Sequence, residues 1–157
     1  GTMTTPVTSS TTSSTVATTV TLSATSVPPS DDQRAIEAVE RFYNALNQSL
    51  RSLSTKDLRA AFRPGCLACE AGADKIDQSA LAGRHITGGN YQIRNLIVLR
   101  RPENTRLLIL RGELTGDLLQ IKDSAGRVIE TESPISSLPK TIEVFRSDGG
   151  WIVSGVS

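Results

Sequence analysis

The chain has 157 residues, 38% hydrophobic, 21% charged and 4% aromatic, with a formal net charge of +1. That length fits one domain, and the near-neutral balance gives no support for a nucleic-acid partner, which usually needs a clustered basic surface. No apolar run approaches the roughly 18 residues of a membrane-spanning helix.

Residues 1–29 are rich in Ser, Thr and Pro and carry no charged residue. Such a segment cannot bury enough apolar surface to offset chain entropy, so it predicts a flexible, disordered stalk that offers sites for O-linked sugar. The competing reading is an edge strand over the β-branched residues 16–22. Gly1-Thr2-Met3 reads as a cloning remnant, so the natural protein is expected to continue upstream differently.

A folded domain is expected over residues 30–157. Ser30 and Gln33 form a capping box, with Asp31 and Asp32 in the first turn of a helix. Ile36, Val39, Tyr43, Leu46, Leu50 and Leu53 then follow at spacings of three and four, one helical face that Phe42 widens. A second helix is predicted over residues 55–62 and is stopped by Pro64-Gly65. The two cysteines of the chain follow as Cys66-Leu67-Ala68-Cys69. A third helix is predicted over residues 73–82, and residues 83–89, with the lone histidine His85, read as a loop.

The period then changes to two. Residues 91–100 alternate as a strand, Pro102-Glu103-Asn104 turns the chain, and residues 106–114 return with an apolar centre at Leu107–Leu110. Shorter strands are expected at residues 118–122 and 127–130, around an Asp123–Gly126 turn. The last pair, residues 141–146 and 151–156, is joined by Ser147-Asp148-Gly149-Gly150, a strong hairpin signal. Helices followed by antiparallel strands give an α+β fold with helices on one face of a curved sheet.

This order, closing on "RSDGGWIVSGV", resembles the NTF2-like superfamily, the cone shared with ketosteroid isomerase and scytalone dehydratase. The Ser/Thr-rich stalk, "FYNALNQSL" and "CLAC" further resemble a group of actinobacterial secreted lipoproteins. That resemblance implies a lipidated cysteine upstream of the stalk and an extracytoplasmic, membrane-anchored or secreted location.

Four readings of Cys66 and Cys69 compete. A disulfide needs an oxidising compartment, which the stalk and the lipoprotein resemblance both imply. A thiol–disulfide catalyst would open a helix within a βαβ unit, whereas here the pair follows a helix. A structural zinc site wants four ligands, and His85 has no companion histidine. Two free buried thiols would point to the cytosol. The disulfide is the expected state.

No residue set names a reaction. His85 reads as a loop histidine and would need an orienting partner to act as a base. Tyr43, Tyr91, Trp151 and His85 are the candidate pocket-lining residues of a cone. Tyr43 at a helix core position is otherwise read as packing. Asp117 and Glu113 alternate with apolar residues and are placed on the wet face or at a bulge; Asp74 and Asp77 read as first-turn acids. No catalytic residue, metal or cofactor is assigned. The expectation is a non-catalytic module that binds a small apolar ligand or an envelope protein. The alternatives are an enzyme acting on a small apolar molecule in the cone and, more remotely, a disulfide oxidoreductase. No nucleic-acid partner is expected, membrane contact would run only through the upstream lipid, and a homodimer through the sheet is anticipated from the apolar residues 107–110.

Overall fold

The computed structural model describes residues 30–100 and 106–157. The stalk, the alternative strand at residues 16–22 and the Pro102-Glu103-Asn104 turn lie outside the described residues.

Helix α1 spans Asp31–Ser52, with Asp31 and Asp32 at its start and Arg51 in its last turn, each favourable to the helix dipole. Its buried stripe runs through Ala35, Ala38, Val39, Phe42, Tyr43 and Leu50. Leu53, assigned to this face by spacing, instead terminates the helix: its φ is 60° and its N–H donates to the Ser49 carbonyl at 2.8 Å. A left-handed residue after a helix satisfies an orphan carbonyl, and a leucine in place of the usual glycine costs about 1–2 kcal/mol.

Helix α2 is shorter than expected, Lys56–Ala60. The chain then runs along strand β7 (Gly150–Val156). Phe62 bridges Val153 in parallel, and the Arg63 N–H donates to the Val153 carbonyl at 2.7 Å. This covers a sheet edge that would otherwise be open to pairing. Helix α3 spans Leu67–Leu81, so it begins at Leu67 and not at Ala73. The cysteine pair therefore opens a helix instead of preceding one, with Cys66 at the N-cap position. Periodicity concealed this start because Leu67 faces solvent, 79% exposed, while the small side chains Cys69 and Ala73 are buried.

Among the described residues, seven strands follow: β1 His85–Gly88, β2 Gln92–Arg100, β3 Leu107–Gly116, β4 Leu119–Lys122, β5 Val128–Glu132, β6 Ile135–Ser147 and β7. They form two antiparallel sheets, ordered β1-β4-β5 and β2-β3-β6-β7. β1 corrects the loop reading of residues 83–89. β6 is longer than expected, 13 residues. It includes Pro139, which pairs with Glu113 of β3. β7 pairs only with residues 142–147 of β6, so the missing N–H of Pro139 faces no partner strand. The Asp148-Gly149 turn between Ser147 and Gly150 closes the expected hairpin.

The sheets meet where Gly88 and Gly89 pass the β3–β4 connection, with the Asp117 N–H donating to the Gly89 carbonyl at 2.6 Å. Leu108, Leu110, Ile142, Val144 and Val153 turn inward to α1 and α3 as one core. Leu107 and Ile109 point the other way and are half-buried.

Candidate functional site

Between the helices and both sheets lies a cavity of about 370 Å³. That is at the lower end of the range that small-molecule sites occupy. α1 lines it with Phe42, Tyr43, Leu46 and Leu50, and α3 with Cys69, Gly72, Lys75 and Ile76. The short sheet adds Ile86, Leu119, Ile121 and Glu132; the long sheet adds Leu114, Ile135, Leu138, Lys140 and Val156. Among the described residues, the wall is apolar apart from two tyrosines, two lysines and one glutamate.

Tyr43 packs edge-on against Phe42, ring centroids 5.1 Å apart. Among the described residues, nothing hydrogen-bonds its hydroxyl. Burial pushes its phenol up to about 12, because the anion would have to form in an apolar setting.

Tyr91 enters the cavity just before β2 and is held through its backbone. Its N–H donates to Asn47 Oδ1 at 2.7 Å, and its carbonyl accepts from Asn47 Nδ2 at 2.7 Å. One α1 side chain thus replaces the ladder partners that a strand residue would have. The ring lies so close to Gly116 that a Cβ there would meet it at 2.5 Å. Burial, followed by the charge of Glu132, raises the Tyr91 phenol above its ordinary value.

Lys75 reaches from α3 across to β5, where it bonds Glu130 and approaches Glu132 at 3.6 Å. The hydrogen bond to Glu130 is the main cause of its raised pKa. Below this, Arg59 of α2 bonds Asp74 at 2.8 Å and Asp77 at 2.6 Å. Thr55 donates to Asp77 at 2.7 Å. Arg59 is the first cause that holds the Asp77 carboxyl below its usual range, Thr55 the second. The two acids read as first-turn groups therefore sit well inside α3 and tie it to α2.

Cys66 and Cys69 are joined by a disulfide, S–S 2.02 Å, and both residues are buried, 2% and 4% exposed. Among the described residues, no group of three or more His, Cys, Asp or Glu is arranged to hold a metal, and no helix is long and apolar enough to cross a membrane.

No family model matches this chain, and no curated protein does. Solved structures match. The intermembrane-space region of the chloroplast protein ARC6 is 17% identical, with a TM-score of 0.57 over 83% of this chain and 97% of that one. A Novosphingobium aromaticivorans protein named as an aromatic ring hydroxylase is 13% identical, with a TM-score of 0.51 over 83% of this chain and 89% of that one. Among the described residues, three helices precede and pack on two antiparallel sheets. The chain has the NTF2-like fold.

Within the NTF2-like cone, the four candidate pocket residues part company. Tyr43 and Tyr91 share the cavity wall. Trp151 is buried but borders a separate polar groove with Asp31, Arg34 and Glu37, and the Arg146 guanidinium lies over its ring at 5.8 Å. His85 lies exposed on β1 opposite Lys122. The sequence reading passed over Asn47, Gly72, Lys75, Glu132 and Lys140. Two of them carried a signal. Asn47 stands one turn after Tyr43 on an otherwise apolar face, and Lys140 interrupts the alternation Leu138, Ile142, Val144.

Proposed function

We propose that the chain is a ligand-binding module without catalytic activity, acting outside the cytoplasm, which takes a small apolar molecule into its NTF2-like cone. The observation that carries this reading is the makeup of the cavity wall. It is a largely apolar surface, and its one carboxylate among the described residues, Glu132, already faces Lys75 at 3.6 Å. Acid–base catalysis wants a group poised near the working pH, and a phenol raised to about 12 is a weak acid at neutral pH. The alternative, an enzyme working in the same cone, rests on that unpartnered Tyr43 hydroxyl. Burial of both cysteines weighs against thiol exchange, which needs an accessible sulfur. The disulfide supports an oxidising compartment. Tethering at the cell envelope through the stalk and an upstream lipid belongs to the same proposal.

Gly72 supplies the test. It lines the cavity, and a Cβ added there meets nothing within 4 Å. Gly72→Leu therefore fills the cavity from a helical position, where replacing glycine also stabilises by about 0.5–1 kcal/mol. The neutral dye Nile red should fluoresce on binding the native chain and lose that signal with Gly72→Leu, while the urea midpoint holds or rises. Undiminished dye binding by the filled variant would place the apolar site elsewhere.

A further inference from the structure

Lys140 lies where the core face of β6 runs out toward solvent, with Ile142 and Val144 fully buried on one side and Leu138 42% exposed on the other. On β6 it pairs with Gly112, between the pairs Leu138–Leu114 and Ile142–Leu110. Residues opposite each other in an antiparallel pair share a face, and every second residue repeats it. Lys140 therefore points to the same side as Ile142 and Val144, both fully buried. It is itself half-buried and lines the cavity beside Leu114, Leu138 and Val156. The other two charged wall residues, Lys75 and Glu132, face each other. Among the described residues Lys140 has no ion-pair partner.

The aliphatic stem of Lys140 lies against aliphatic side chains, and its ammonium has no counter-charge among the described residues. A ligand that brings an anion to that point supplies one. One that brings only hydrocarbon supplies none and takes water away from the ammonium. We propose that the cavity selects amphipathic carboxylates, an apolar body ending in one anionic group, and that Lys140 is the residue that reads the charge. This rests on the reading of the cavity as a ligand site. The apolar body lies against Phe42, Leu46 and Ile76, the carboxylate meets the Lys140 ammonium, and the Tyr43 hydroxyl is free to donate to any acceptor the ligand carries.

The test compares decanoate with decanol by isothermal titration calorimetry at neutral pH and low salt. The native chain should bind decanoate about tenfold or more tightly, as expected for a charge-assisted hydrogen bond that the alcohol lacks. Lys140→Met keeps the length and removes the charge. It should reduce decanoate binding to the level of decanol and leave or strengthen decanol binding. Lys140→Gln provides a second neutral variant, and circular dichroism checks the fold of both. Equal affinity of the native chain for acid and alcohol overturns the role of Lys140 while keeping the cavity as a binding site. A decanoate preference that survives both substitutions overturns it as well. Binding of neither ligand overturns the ligand-site reading and this inference together.

Discussion

Tyr43 concentrates the tension between packing and function at one side chain. Its ring is part of the core, 5% exposed, while its hydroxyl has no partner among the described residues. The raised pKa has a definite consequence for stability. The unfolded chain releases the phenol proton near pH 10 and the folded chain near 12. Between these values the folded state holds more protons, so stability is complete below pH 10 and falls as pH rises through the window. The slope for one such group is at most about 1.4 kcal/mol per pH unit. Other groups titrate there too, so the measurement is a difference: urea midpoints of the native chain and Tyr43→Phe, from pH 9 upward. The variant should lose stability less steeply above pH 10. Parallel curves would mean that the hydroxyl ionises in contact with water and is not held in the cavity.

Helix α3 is where the elements of this fold are joined. Its first turn carries the disulfide, its middle carries Asp74, Lys75 and Asp77, and its partners lie on α2 and β5. The surface ion pairs among these contribute at most about 1 kcal/mol each, so their effect is to orient the helix over the cavity. The disulfide closes a very short loop and adds about 2 kcal/mol or less. Protein exported to an oxidising compartment and purified without reductant should take up no alkylating reagent until it is unfolded and reduced, by intact mass. Two modified cysteines in the untreated protein would sink both the bond and the proposed location. This element also marks the limit of what the sequence disclosed. The face of α1 and the Asp148-Gly149 hairpin were legible because strong periodicity and turn chemistry coincide with the final contacts. The start of α3 was not, because small residues bury themselves without an apolar stripe. β1 was hidden because His85 to Gly88 pair with β4, a partner distant in the chain. Tyr91 lines the cavity from the position just before β2, and Asn47, which holds it, shows its purpose only once α1 and β2 are side by side.

At the scale of the molecule, the cavity exists because two sheets bend around it instead of running flat. Glycine permits the bend. Gly88 has φ +84°, and a Cβ there would stand 1.8 Å from the carbonyl oxygen of Leu118. Gly126, in the turn between β4 and β5, has almost the same φ, +85°, with nothing within 4 Å. The two positions separate local strain from close approach of the sheets. Gly126→Ala should cost only the left-handed backbone penalty, about 1–2 kcal/mol. Gly88→Ala adds a clash with main chain that cannot rotate away, and should cost more than about 4 kcal/mol, a loss that few single substitutions reach. Urea unfolding measures both. Similar losses for the two variants would mean that the β3–β4 connection yields easily, and that the cone is not fixed by the meeting of its sheets. A large gap would tie the volume available to a ligand to that junction. Nile red binding would then weaken in Gly88→Ala wherever enough folded protein remains to measure it.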